Sequence, residues 1–353
     1  MAVQREMVND LLEREAHQSS PSDGDVLSGR GVNAVWRRKV IHWYFTLIAA
    51  LRRQHSTAAA ASDDDDANDP FNRSTVHVTA FLLDSYLMSL PSERALRFKN
   101  DRPAYQLLAT TCLLLGMRLA RHDDIKESRK RDAADGQDQE QGRGMKRAKT
   151  HKMNMNEASA IQTTEAAAAI TTPPGVAMPN AATILRISAA PRSLSERHVV
   201  SMAREVGGSR SFPRSKVVTA LDFIQALGAA STQVGQDGGC VSLGPTEVEQ
   251  ASRAADSSLR DVSLMGCRPS VVACAAITLA LVRSDSVDVD MSTLRHQVQR
   301  SIFGSEEDPA LQVVIMKAEA SLLTSIQVEP PSRNGVRRVL HTTTSHLIPL
   351  EDE

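Results

Sequence analysis

Cysteine is scarce. The four in this 353-residue sequence, Cys112, Cys240, Cys267 and Cys274, form no C-x-x-C pair and no even-spaced framework. A disulfide scaffold and a paired-cysteine metal site are therefore not expected, and the thiols read as buried residues of a reducing compartment. Long apolar runs are missing too. The longest nearly unbroken one covers residues 271 to 282, well short of the ~20 residues that span a bilayer. No membrane partner is expected. The opening residues, MAVQREMVNDLLERE, are charged and contain no apolar signal core, which points to the cytoplasm or the nucleus. Neither sign of charge is in excess: 41 Lys/Arg against 42 Asp/Glu leave a net charge of −1. That balance argues against a protein whose whole surface is a nucleic-acid footprint.

Catalytic motifs are equally hard to find. No G-x-x-x-x-G-K-[ST] loop, no G-x-G-x-x-G after a strand, no H-E-x-x-H and no G-x-S-x-G elbow occurs. The ten histidines are scattered, and His77 and His198 read as helix residues rather than metal ligands. The acidic runs DDDD and EED fall in loops, where they are solvated charge rather than paired catalytic carboxylates. No enzymatic activity, cofactor or metal is expected. Alternating apolar runs with hairpin turns are absent as well, so the chain reads as all-α.

What is present is helical periodicity. Aromatic residues make up only 3% of the chain, yet both tryptophans, Trp36 and Trp43, fall in one stretch, NAVWRRKVIHWYFTLIAALRR. Within it Val40, Trp43, Tyr44, Leu47, Ile48 and Leu51 follow the i, i+3, i+4, i+7 rule of one buried stripe, predicting a helix from about Val35 to Arg53. Further helices are expected over 74–89, 103–120, 181–188, 193–206, 215–229, 246–264, 269–284, 291–303 and 309–327, with a short one at 5–15, where Met7, Leu11 and Leu12 share a face. The segment 103–120 is apolar almost all round and should be central. These helices fall into two groups. Between residues 121 and 152 there are ten Lys/Arg, seven Asp/Glu and almost no large apolar residue. Such a composition buries too little surface to offset its ordering entropy, so a disordered insertion is expected there.

The first three strong helices resemble a cyclin box. The pattern of its first helix, an Arg followed by a Trp six residues on, is matched by Arg37 and Trp43 in WRRKVIHWYFTLI. Its second helix resembles TVHVTAFLLDSYLMS, with the aspartate at Asp84, and its third resembles YQLLATTCLLLGMRLAR. DVSLMGCRPSVVACAAITLAL looks like the cyclin C-terminal repeat, and the W-R-x-K-x-x-x-W spelling is similar to the divergent diatom-specific cyclins. The resemblance covers about 34 to 120 closely and 181 to 285 more loosely. It implies two tandem repeats of about five helices: a cyclin box over 33–229, interrupted by the insertion at 121–180, and a second repeat over 240–328. Disordered tails are expected at 1–32 and 329–353.

Several site residues follow from the resemblance. It implies a regulatory subunit that binds and activates a cyclin-dependent protein kinase in cell-cycle control. A transcription-related cyclin-fold protein and a scaffold without a kinase are the alternatives. Arg37 and Asp84 match the family's buried interhelical ion pair. Trp36, Val40, Trp43 and Gln106 fall at a docking patch for short motifs of substrates or inhibitors. Arg118 stands where the family's kinase-contacting Lys lies. The family's contacting Glu falls at Ala203, with Glu205 two residues on. The basic run at Lys146, Arg147 and Lys149 has the form of a nuclear import signal. Ser20 and Thr172 precede prolines, the setting of proline-directed phosphorylation.

Overall fold

The computed structural model describes residues 2–18, 32–58, 71–120, 179–187, 194–213, 216–229, 241, 243–284, 291–304 and 308–328. All regular structure among them is helical. In chain order the helices are α1 (Ala2–His17), α2 (Ala34–Ala58), α3 (Arg73–Ser89) and α4 (Ser92–Asn100), then α5 over residues 102–120. They continue with α6 (Ala181–Ile187), α7 (Glu196–Gly207), α8 (Ala220–Ala229), α9 (Pro245–Ser258), α10 (Pro269–Arg283), α11 (Met291–Phe303) and α12 (Pro309–Val328), with a short 3-10 turn at Val262–Leu264. Many starts share one device. Asn33, Asn72, Asp101, Asn180 and Asp308 each accept a hydrogen bond from a backbone N–H two or three residues on, which satisfies a donor the helix itself leaves unpaired.

The helices pack around two cores. Helices α2 to α7 supply the first, with Tyr44, Leu83, Leu108 and Leu113 at its centre. Helix α5 is buried round most of its circumference, and the Tyr44 hydroxyl donates to its Ala109 carbonyl at 2.9 Å. Helices α1 and α8 to α12 supply the second core. There α10 is the central element, packed against α1, α8, α9, α11 and α12. Its run of small residues, Ala273, Cys274, Ala275 and Ala276, is fully buried, which lets five neighbours approach one axis.

Five features differ from the expectations above. The cores do not divide at 229: α8 belongs to the second, where Phe223, Ile224 and Leu227 are fully buried. Its start lies later than 215 because Thr219 donates its N–H and hydroxyl to Asp222. The helix expected over 246–264 ends at Ser258 and gives way to the 3-10 turn, whose N-cap is Asp261. Helix α4 was not expected at all; only Ala95 and Phe98 are buried on it, too few to register as a period. Residues 2–18 are no disordered tail. Val8 is fully buried in the second core with Leu11 and Leu12 packed against it, whereas Met7 is 45% exposed.

Helix α1 is held by its last turn as well. Glu15 accepts the Ser270 backbone N–H and the Ser270 hydroxyl, each at 2.7 Å. Helix α10 has no side-chain cap of its own, so a carboxylate from the other end of the sequence serves as one. Burial pushes the Glu15 carboxyl above its ordinary range, with the Ser270 bonds and Arg268 opposing. The expected insertion at 121–180 lies outside the described residues up to 178, as does the tail at 329–353.

One close approach is testable. A Cβ on Gly116 of α5 would lie 2.2 Å from Oγ1 of Thr79 and 3.2 Å from its Cα on α3. Overpacking costs about 1–3 kcal/mol, which exceeds the ~1 kcal/mol that alanine gains over glycine in a helix. Gly116→Ala should therefore lower the thermal midpoint, and adding Thr79→Ala should restore part of the loss.

Candidate functional site

The two cores meet at a polar junction centred on Arg37 of α2. Its Nε and Nη2 donate to the two carboxylate oxygens of Asp84 on α3, at 2.9 and 2.6 Å. Its Nη1 donates to the carbonyl of Leu259, at the C-terminus of α9. Arg37 is 2% exposed. Burial alone would pull the guanidinium down, but Asp84 overrides it and holds the group above its ordinary value. The break in the helix after Ser258 matters here. Carbonyls in the last turn of a helix have no partner within it, so Leu259 is free to accept from a side chain of the other cluster. Leu259 and Met265 also pack against the first core.

A second set of contacts runs beside the first. Arg73 of α3 donates to both oxygens of Glu249 on α9, each at 2.8 Å, and lies 3.3 Å from Asp256. His77, on the same face of α3 one turn later, has Nε2 at 3.1 Å from Asp256 Oδ1. The Arg73 hydrogen bonds draw the Glu249 carboxyl down to about 2, against an ordinary 4.5. Arg260 sits 5.5 Å over the ring of Phe45. A cavity of about 460 Å³ opens at the junction, walled by Leu12 and Gln18 of the N-terminal segment, Phe81 and Asp84 of α3, and Val218 and Met265. Cys267 also lines it; burial pushes its thiol up to about 11, so at neutral pH it is a thiol and not a nucleophilic thiolate.

The structure brings Arg37 and Asp84 together, and Arg118 is exposed near the end of α5. The docking patch is a correction. Val40 is fully buried, Trp43 is 5% exposed and Gln106 is 2% exposed, so three of its four members face inward and offer no surface. The cause is the α2 stripe: Val40, Trp43, Tyr44 and Leu47 share the side that meets the core. Trp36, two turns before Trp43, is half-buried with its ring 5.8 Å from that of Tyr105. Glu205 on α7 is engaged elsewhere. It accepts from the Tyr86 hydroxyl and from Arg94, each at 2.7 Å. Lys146, Arg147, Lys149, Ser20 and Thr172 lie outside the described residues.

Sequence reasoning did not find Leu259, Glu249 or Asp256 as partners across the junction. A backbone carbonyl carries no residue-type signal, and the other two are ordinary helix-surface acids in the sequence. Among the described residues no group of His, Cys, Asp and Glu is arranged to hold a metal ion, and no helix is long and apolar enough to cross a membrane. No protein-family model matches the chain, and neither a curated protein nor a solved structure matches it.

Two outcomes follow from the junction. Asp84→Ala leaves the Arg37 charge buried with one carbonyl partner and should cost about 3–5 kcal/mol in denaturant unfolding; Arg37→Met with Asp84→Leu should recover most of that. Glu249 has a lowered carboxyl, so its contribution is complete above pH 4.5 and is lost as pH falls toward about 2. Glu249→Gln should flatten that part of the stability–pH curve, read by thermal unfolding across the same range.

Proposed function

We propose that this chain is a cyclin-like regulatory subunit that binds a cyclin-dependent protein kinase and favours its active conformation. The observation that carries the reading is the Arg37–Asp84 pair, bidentate and buried between the first two helices of the first core. That is where the resemblance to a cyclin box expects it. The two helical clusters, each with an apolar helix at its centre, support the same reading. On it the chain performs no catalysis. A partner kinase exchanges between inactive and active conformers, and a surface that binds the active one better enriches it.

Arg118 is the contact residue. Its guanidinium is exposed on α5 and offers a planar set of donors to carbonyl or carboxylate groups of the kinase. The second half of the family's contact is missing: Ala203 has no charge, and Glu205 is held by Tyr86 and Arg94. Contact through one charged residue fits a partner whose own surface departs from the usual one. The basic run at Lys146, Arg147 and Lys149 acts as a nuclear import signal on this reading, which places the complex in the nucleus as well as the cytoplasm. Ser20 and Thr172 are its phosphorylation sites.

The test is a kinase assay with the purified full chain and cyclin-dependent kinases from the cells that express it. Addition of the chain should raise phosphoryl transfer by at least one of them. Arg118→Glu should weaken the association about tenfold or more, a loss of ~1.4 kcal/mol or greater, with the thermal midpoint unchanged. A chain that activates no such kinase contradicts the proposal; activation indifferent to Arg118→Glu contradicts the contact assignment alone.

A further inference from the structure

The near-neutral balance of the whole chain conceals a partition between the two clusters. The described residues of the first, 32–58, 71–120, 179–187 and 194–213, hold 15 Lys/Arg and 5 Asp/Glu, a net charge of +10. Those of the second, including 2–18, hold 10 Lys/Arg and 11 Asp/Glu. Of the five acids in the first cluster, Asp84 is committed to Arg37 and Glu205 to Tyr86 and Arg94. Glu93, Asp101 and Glu196 are left.

Six of these cations lie on or just beyond α4 and α7, which meet through one ion pair. The Arg94–Glu205 bond at 2.7 Å joins the two helices. Around it Arg94, Arg97 and Lys99 of α4, Arg197 and Arg204 of α7 and Arg210 just beyond it are all exposed. Arg197 and Arg204 are seven residues apart, two turns along one helix face and ~10 Å in rise. Lys99, Arg197, Arg204 and Arg210 make no ion pair among the described residues, and Arg97 reaches Asp101 only at 3.9 Å. Like charges gathered without compensation repel one another and raise the local potential, which draws a polyanion.

We propose that this α4–α7 face binds a nucleic-acid duplex through its phosphates. Thirteen of the 15 cations are arginine, whose planar fork matches phosphate oxygens bidentately. Among the described residues no Phe, Tyr or Trp is a large exposed side chain, so the face lacks the aromatic platform on which single strands stack. Its exposed apolar residues are Leu96 at 42% and Val200 at 41%, far less than the buried anchors on which a docked acidic peptide relies. Binding by charge alone suits a duplex, whose regular phosphates release counterions on contact. The proposal does not depend on the kinase reading, and the two fail separately.

Fluorescence anisotropy with the full chain and a labelled DNA duplex of roughly 30 base pairs tests it. Affinity should fall roughly 10²–10³-fold between ~50 and ~200 mM salt, the slope for four to six neutralised phosphates. The variant Arg97→Ala/Lys99→Ala/Arg197→Ala/Arg204→Ala should lose most of the affinity and about three to four units of that slope, with its thermal midpoint kept. Arg283→Ala, on an exposed residue of the second cluster, should change neither. No binding at low salt, or binding with a slope the quadruple variant leaves intact, overturns the proposal. So does an acidic peptide that binds the same face more tightly than the duplex. Duplex binding that appears only after Asp63 to Asp66 are replaced by serine also overturns it, in favour of an occupant within the chain.

Discussion

A cation buried between two cores constrains everything around it. Arg37 cannot lose its charge at any physiological pH, and a buried charge persists only with partners. Asp84 supplies two acceptors from the same cluster, and the Leu259 carbonyl supplies a third from the other. The clusters therefore share one electrostatic requirement. Parting them strips the guanidinium of an acceptor, and rotating α2 against α3 strips it of two. The end of α9 at Ser258 belongs to the same requirement, because a helix continued past Leu259 would consume the carbonyl that Arg37 needs.

Around that cation the junction mixes strong and weak contacts. Arg73, Glu249, His77 and Asp256 line up along facing sides of α3 and α9, but Arg73 and Glu249 are each about two-fifths exposed or more, so solvent screens them. They orient the clusters more than they hold them. Apolar packing of Leu259 and Met265 into the first core supplies the non-directional part. The cavity beside Phe81 and Val218 marks where the packing of the two clusters is incomplete.

Much of this was legible in the sequence, and the exceptions have physical causes. Helices with strong apolar periods, such as α2, α5 and α10, declare themselves, because their stripes or their all-round apolarity have no other use. Val40 and Trp43 are instructive. Periodicity alone assigned them to a buried stripe, and the resemblance assigned them to a surface patch; geometry favours the first, since one side of a helix cannot serve both. Arg37 and Asp84 were expected as a pair because they stand where the resemblance to a cyclin box implies one, and a charge on each of two apolar helices persists only if paired. Leu259 was not, because its contribution is backbone. The charge partition was also invisible to a whole-chain count. A net charge of −1 is compatible with a cluster of helices at +10 once the topology separates the residues.

Glu15 and Ser270 are 255 residues apart, and this separation bears on how the protein comes to be folded. Helix α1 leaves the ribosome long before α10, which it caps. At ~5–20 residues per second the interval is roughly ten to fifty seconds. Through that time the Val8, Leu11 and Leu12 face has no core to enter, and a polar segment of sixteen residues is near the lower limit for holding helical form on its own. The second core is complete only once this early helix and the late one it caps have met.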